Sequence, residues 1–351
     1  MISDAQPTPL PGRQSALLSR YYRITNQQRF DFPMRLFTAP ALLLAALFAS
    51  SVFAVTPEDK YPESPLYDKP VKVAEGVYSA IGKLGYYSYE NGGHNNNLSF
   101  VIGDEAVLVV NGGTSNQLAA ALHEEIRQLT DLPVKYVVDE NGQTHAAAGN
   151  GYWQAQGAEI IAHVDAVDEI EAHVANGIAQ LRNTLKEQMD GTQVVAIDRT
   201  FEAEITLDLG GVTARVMYLG AAHSPGDVTI LIPERDVVIA GDIAFHERML
   251  PVFPYTDTRA WLTTWREVFT PLAKDRLIIP GHGSPTRFPA VDEFTRGYLE
   301  YLRAEVARIL DEGGSLADAY QIDQSQYMHL EAADQLAGKN AGRVFEAMEW
   351  E

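Results

Sequence analysis

The chain has 351 residues, with 27 Lys and Arg against 47 Asp and Glu, a formal charge of −20. Charged residues are 21% and apolar residues 46%, which excludes a disordered chain, and the acidity argues against a nucleic-acid partner held by Lys/Arg patches. The absence of cysteine excludes disulfides, thiolate zinc sites and cysteine nucleophiles, so any metal must be held by His and carboxylates.

The one long apolar stretch is Leu36–Phe53. It follows Met34-Arg35, is interrupted by Thr38, Pro40, Ser50 and Ser51, and ends in small residues before the polar run Val55–Lys60. This reads as a secretory signal over 34–54, cleaved after Ala54. The alternative is a transmembrane anchor, which needs ~20 strongly apolar residues. For residues 1–33, either Met34 is the true start or the leading segment is unusually long. Five Arg and two Asp lie in 1–54, so the expected mature chain, 55–351, carries 22 bases against 45 acids, net −23. Export of a cysteine-free protein suggests a bacterial periplasm or secretion, with no stable membrane anchor.

In the mature part, Val71–Leu84 has the β-branched residues and glycines of a hairpin. Leu98–Ile102 and Ala106–Val110 are expected strands around the turn Gly103-Asp104-Glu105. Leu118, Leu122, Ile126 and Leu129 recur at helical spacing within Ser115–Thr130. Strand Val134–Val138, helix Tyr152–Gln156, strand Glu159–Ala162 and a long helical stretch Asp165–Met189 follow. Strands are then expected at Thr192–Ile197, Ala203–Leu207, Val212–Leu219, Val228–Ile232, Val237–Ala240 and Arg276–Ile279. Helices are expected at Thr258–Phe269, Ala290–Asp311 and His329–Met348, with Trp153, Trp261, Trp265 and Trp350 packing them. This order implies an α/β protein of two sheets packed face to face with helices outside. No linker rich in Pro, Gly or Ser splits 55–351, which reads as one domain.

Three segments share one design, in which a buried strand ends and a metal-type ligand follows at once. They are Val216–Asp227 with His223, Val237–Asp242 with Asp242, and Leu277–Gly283 with His282. Strand ends converge on one rim of a sheet, so these three side chains can meet. Two imidazoles and a carboxylate suit Zn²⁺.

The strings AHSPGD, AGD and PGHG stand in this order, with FVIGDEAVLVVNGG and NGYWQAQGAEIIAH upstream. In these features the chain resembles the metallo-β-lactamase-fold hydrolases, over essentially all of residues 70–290. The resemblance implies an αββα sandwich of two mixed β-sheets with a metal site at one edge. Most members carry His-x-His-x-Asp-His after the strand that matches Tyr136-Val137-Val138; here the run is Asp139-Glu140-Asn141-Gly142-Gln143-Thr144-His145-Ala146. An ungapped alignment puts Asn141 and Gln143 at the first two His positions and His145 at the Asp. A one-residue gap puts His145 at the last His instead. The Asp usual after the Val107–Val110 strand is Asn111.

The resemblance therefore implies four metal donors, His145, His223, Asp242 and His282, enough for one zinc ion and too few for two. It implies an exported hydrolase that uses a metal-activated water on a small ester, thioester, lactone or amide. With the usual water-orienting carboxylate missing, that role passes to Asp242 or to His246, four residues on. His94, on a loop that borders the site in relatives, is a further candidate. Loss of two histidines leaves open another reading, a metal-poor or non-catalytic binding protein on the same fold. The partner expected is a small-molecule substrate; nothing fixes the oligomeric state.

Overall fold

In a strand, successive side chains point to opposite faces, so a continuous apolar run is buried on both. Val107–Val110 (β4) is such a run, and it lies between Leu98–Ile102 (β3), broken only by the buried Ser99, and Val134–Val138 (β5), whose Lys135 is exposed, in a sheet of seven strands. The others are Val71–Ala74 (β1), Val77–Ala80 (β2), Glu159–His163 (β6) and Arg199–Phe201 (β7), ordered β1-β2-β3-β4-β5-β6-β7. Pairing is antiparallel through β4 and parallel from β4 to β7. A second mixed sheet has the order β13-β12-β11-β10-β9-β8. Its strands are Glu204–Asp208 (β8), Thr213–Tyr218 (β9), Val228–Ile232 (β10), Val237–Phe245 (β11), Leu277–His282 (β12) and Thr286–Arg287 (β13). The computed structural model describes residues 60–351, which fall within one unit, Thr56–Glu351. The expected signal segment 34–54 and the upstream residues 1–33 lie outside the described residues.

Alternation along each strand builds three apolar layers. Leu108, Val110 and Val138 meet Val216, Ile230 and Ile239 between the sheets. Val107, Val109 and Val137 face outward, onto Leu118, Leu122 and Ile126 of the helix Asn116–Leu129 and onto Trp153. Ser115 caps that helix, its hydroxyl accepting from the Leu118 amide. On the other outer face, Val238 and Ile278 pack under Trp261, Trp265, Leu302 and Val344 of the C-terminal helices. The αββα sandwich is thus the observed architecture.

Four expectations are corrected. Thr192–Ile197 is not a strand, because its carbonyls go to side chains: Arg182 donates to Thr192 O and Gln154 to Ala196 O. The strand forms later, as β7. The long helical stretches are broken by π turns at Ile170–Val174, Trp265–Phe269 and Asp292–Gly297. Strand β11 runs on through Phe245, so Asp242 lies inside a strand rather than after one. Trp350 stands beyond the last helix, Ala333–Met348, and is 88% exposed.

Truncating the layer between the sheets tests this packing. Leu108→Ala is expected to cost about 2–5 kcal/mol, the range for a buried Leu that leaves a cavity. Urea unfolding reads it as a lower midpoint at unchanged slope; a loss under ~1 kcal/mol would contradict the packing.

Candidate metal centre

The chemistry-bearing residues come from strand ends along one edge of the sandwich. Strands β4 and β5 are parallel, with Val110 beside Val138, so Asn111 and Asp139-Glu140-Asn141 leave the sheet together. Strands β11 and β12 are also parallel, which brings Asp242 beside the Pro280–His282 end. Their register shifts between Ile239 and Gly241 and again before Phe245, so this stretch departs from a regular ladder. Gly241 has φ of +65°, and a Cβ there would lie 2.0 Å from Glu140 Oε2. Only glycine fits both the backbone and the crowding.

Asp242 is the centre of the arrangement and is 1% exposed. His145 Nε2 stands 3.5 Å from its Oδ2, His282 Nε2 3.4 Å from its Oδ1, and His223 Nε2 3.9 Å from its Oδ2. Donor atoms of His145, Asp242 and His282 all lie within 4.8 Å of one another, and the three residues are buried. Tetrahedral ligands at about 2.0–2.1 Å from an ion stand about 3.3 Å apart, so this spacing suits one metal. His145 Nε2 and Asp242 Oδ1 are buried without a hydrogen-bond partner. Orphaned polar atoms of this kind are rare and need a ligand.

The imidazoles are held from behind. His282 Nδ1 lies 2.6 Å from Asn95 O, which makes Nδ1 the protonated nitrogen and leaves Nε2 to face Asp242. The Asn97 side chain donates to Pro280 O and Gly283 O, and its amide to Gly281 O, fixing the loop of His282. Phe245 stacks on the His282 ring at 5.3 Å. The His223 ring is walled by Phe245, Phe253 and Trp261. Its loop is closed by Asp227, which accepts from Ser224 N and Oγ. His145 rides on the short helix Thr144–Ala147.

The remaining residues singled out by sequence sit as follows. Asn141 turns its amide N–H toward Asp227 and Asp242, at 3.3 Å each, while its oxygen accepts from the Gln143 amide. It is therefore a hydrogen-bond donor to the carboxylates, with its oxygen turned away from them. Gln143 lines a cavity beside the cluster. His246 is half-buried; its Nδ1 faces Ser284 O at 2.9 Å and its ring packs on Phe294. His94 is buried, and its Nδ1 accepts from the Tyr67 amide rather than joining the cluster.

Two residues went unnoticed in the sequence. Glu140 is 1% exposed, and its Oε1 stands 3.7 Å from His145 Nε2. Arg248 is buried, with Nη1 donating to Leu84 O and Gly85 O. The signal that could have found Glu140 is Asn111, whose amide replaces an expected carboxylate and donates to Glu140 Oε1 at 2.8 Å.

Burial dominates the electrostatics. It pushes Glu140 and Asp242 up to about 7 and Asp139 up to about 8, and raises Asp227 well above the carboxylate range. It lowers His145, takes His223 down to about 3, and takes His282 well below its ordinary value. Imidazoles held neutral are the form that binds a metal.

A cleft of about 270 Å³ opens beside the cluster, lined by Tyr87, Gln143, Thr144, Glu169, Phe253 and Tyr255 among others. A second cavity of about 350 Å³ shares Glu169, His173 and Tyr255 and adds Asp165, Asp168 and Pro225. Burial raises Glu169 to about 7, and the Tyr255 hydroxyl donates to it at 3.2 Å.

The family model of the metallo-beta-lactamase superfamily matches residues 91–296. Among solved structures, the chain is similar to the stereoselective inverting sec-alkylsulfatase Pisa1 from Pseudomonas sp., at 15% identity and TM-score 0.62. That match covers 81% of this chain and 52% of the sulfatase, so the chain spans about half of that relative's length. It is also similar to a metallo-beta-lactamase from Pontibacter korlensis, at 16% identity and TM-score 0.54, covering 66% of this chain and 98% of the other. At these identities the likeness is one of fold.

The carboxyl shifts predict how metal-free stability changes with pH. Folded Asp139, Glu140 and Asp242 hold protons to about 8, 7 and 7, against ordinary values of 3.8 for Asp and 4.5 for Glu. Between those limits these carboxyls bind protons that the unfolded chain has released. Below 6.5, the ordinary histidine value, the buried neutral imidazoles of His145, His223 and His282 act in the opposite sense. Above it only the carboxyl effect remains, so stability falls as pH rises from about 6.5 through about 8. Melting temperatures of chelator-treated protein should decline between about pH 6.5 and pH 8.5; a flat or rising profile there contradicts the burial of these acids.

Proposed function

The chain belongs to the metallo-β-lactamase superfamily, and we propose that this protein is a metal-dependent hydrolase of a small ester, thioester, lactone or amide. The observation that carries the reading is the set of buried, partly unpartnered donors of His145, Asp242 and His282, with His223 beside them. These four residues would hold one zinc ion. When bound there, zinc supplies Lewis acidity, polarising a carbonyl and lowering the pKa of a water.

The chain's own residues do the rest. Asp242 spans the three imidazoles and accepts from Asn141, which fixes its plane. His246 keeps Nδ1 on Ser284 O and its backbone amide on His282 O, which leaves Nε2 as the ring nitrogen free to act as a base. The buried guanidinium of Arg248 favours the ionised form of Asp242 and offsets negative charge developing nearby. Phe253 joins the cleft to the metal centre, since its ring also packs on His223.

The cleft supports a substrate without negative charge. Asp165 and Asp168 line the adjoining cavity and repel anions. The sulfate esters suggested by one structural neighbour fit this wall poorly; neutral or cationic esters and amides fit it well. Paired esters that differ only in charge should show kcat/KM falling from cationic to anionic. The reverse order would overturn this reading of the cleft.

Residues 34–54 support export to the periplasm as a processed protein. Sequencing of the exported form should begin at Val55; a start at Met1 would overturn that. Among the described residues, no helix is long and apolar enough to cross a membrane.

Metal content tests the central reading. Purified protein should carry about one equivalent of zinc and melt higher with metal than after chelation, since binding energy adds to folding energy. His282→Ala and Asp242→Ala should lose both the metal and the increment. A metal-free protein whose melting temperature ignores chelator and added zinc would instead be a binding protein on this fold.

A further inference from the structure

We propose that Glu140 is a metal ligand of this site, a carboxylate donor that stands in for the imidazoles absent at Asn141 and Gln143. The inference rests on the metal-dependent reading above and adds a fifth protein donor to it.

Four observations lead there. The first is distance. Glu140 Oε1 lies 3.7 Å from His145 Nε2, on the same scale as the 3.5 Å and 3.4 Å separations of Asp242 from His145 and His282. Ligands of one ion stand about this far apart.

The second is an unpartnered oxygen. Glu140 is 1% exposed, and its Oε2 lacks a hydrogen bond of good geometry, with only the Asp242 backbone amide turned toward the carboxylate. A buried carboxylate oxygen without a donor costs several kcal/mol unless a cation meets it. The buried Arg248 spends its Nη1 on the carbonyls of Leu84 and Gly85.

The third is the clamp from Asn111. Its Nδ2 donates to Glu140 Oε1 at 2.8 Å, and its Oδ1 accepts from the Glu140 amide at 3.0 Å. An Asp at 111 has no N–H for the first bond and would set a second negative charge against Glu140. Asn111 is thus the residue that a carboxylate at position 140 requires. It also tolerates the left-handed backbone found there, with φ of 71°. The loss of the expected Asp and the presence of Glu140 are one change.

The fourth is charge. With neutral imidazoles, Asp242 and Glu140 together balance a divalent ion, giving a neutral centre in a water-poor setting. Asp242 alone would leave a buried net charge of +1 beside Arg248. Imidazole and carboxylate donors both suit zinc, and His223, which stands outside the tight group of His145, Asp242 and His282, is the donor whose place a water can take.

The test uses the full chain with Zn²⁺ alone or Co²⁺ alone, as wild type, Glu140→Gln, Glu140→Asp and His282→Ala. Chelator competition should show Glu140→Gln binding zinc at least ten-fold more weakly. Its cobalt form should show a changed visible spectrum, reporting a changed donor set. Metal-free Glu140→Gln should melt no lower than metal-free wild type, because removing a buried carboxylate relieves repulsion; only the metal-induced rise should shrink. A merely structural Glu140 would instead lower the metal-free melting temperature and leave affinity and spectrum alone. If Glu140→Gln does not fold, Glu140→Asp withdraws the oxygens by one methylene and should weaken zinc binding; wild-type affinity would overturn the proposal. Unchanged affinity and spectrum in Glu140→Gln, with metal lost in His282→Ala, overturns Glu140 as a ligand and leaves the hydrolase reading standing. Absence of metal binding in the wild type overturns both.

Discussion

Asp242 is a carboxylate taken almost wholly out of water, with Glu140, Asp227 and Asp139 buried around it. Removing such charges from water costs several kcal/mol each, and their mutual repulsion adds to that. Hydrogen bonds answer part of the cost. Asp227 is served by Ser224 and Asn141, and Asp139 by Asn150. Asp242 has only a 3.3 Å contact from Asn141 and three imidazoles that burial keeps neutral. The edge of the sandwich therefore gathers buried acceptors that suit a cation, and glycines and aromatic walls crowd them together.

Those features act by bringing backbone close to ligand. A Cβ at Gly281 would lie 2.1 Å from Asp242 Oδ1, and one at Gly241 would lie on Glu140. Both glycines let neighbouring strands deliver their side chains to one point. The asparagines before β3 then lock the result. Asn97 ties the His282 loop down through three hydrogen bonds, and Asn95 sets which His282 nitrogen faces inward. The two sheets provide the rigidity: strands β11 and β12 carry Asp242 and His282, the short helix Thr144–Ala147 carries His145, and the loop after β9 carries His223.

His223, Asp242 and His282 were legible in the sequence because each sits in a short motif that follows an apolar run, where spacing carries the geometry. His145 was legible through its place in an altered motif. Glu140 was not, because it lies where no ligand is expected and only its contact with Asn111 marks it. Asn141 also escaped a sequence reading: its amide can accept or donate, and the carboxylates around it decide for donation. The fold was legible at the level of strand runs. The π turns were not, since they keep a helical apolar spacing while changing the backbone. Thr192–Ile197 misled because a β-branched run without a free strand edge beside it bonds to side chains instead.

The donor set has a consequence for the chemistry. An ion held by neutral imidazoles keeps most of its charge and acidifies a water strongly; each carboxylate added to its ligands reduces that effect. With Asp242 and Glu140 both as donors, an ion would give up Lewis acidity in exchange for tolerating burial among aromatic walls. Arg248 favours ionised Asp242, and His246 holds its Nδ1 on Ser284 O. The cavity that shares Glu169 and Tyr255 with the cleft carries Asp165 and Asp168, so the surface beside the donors is acidic as well.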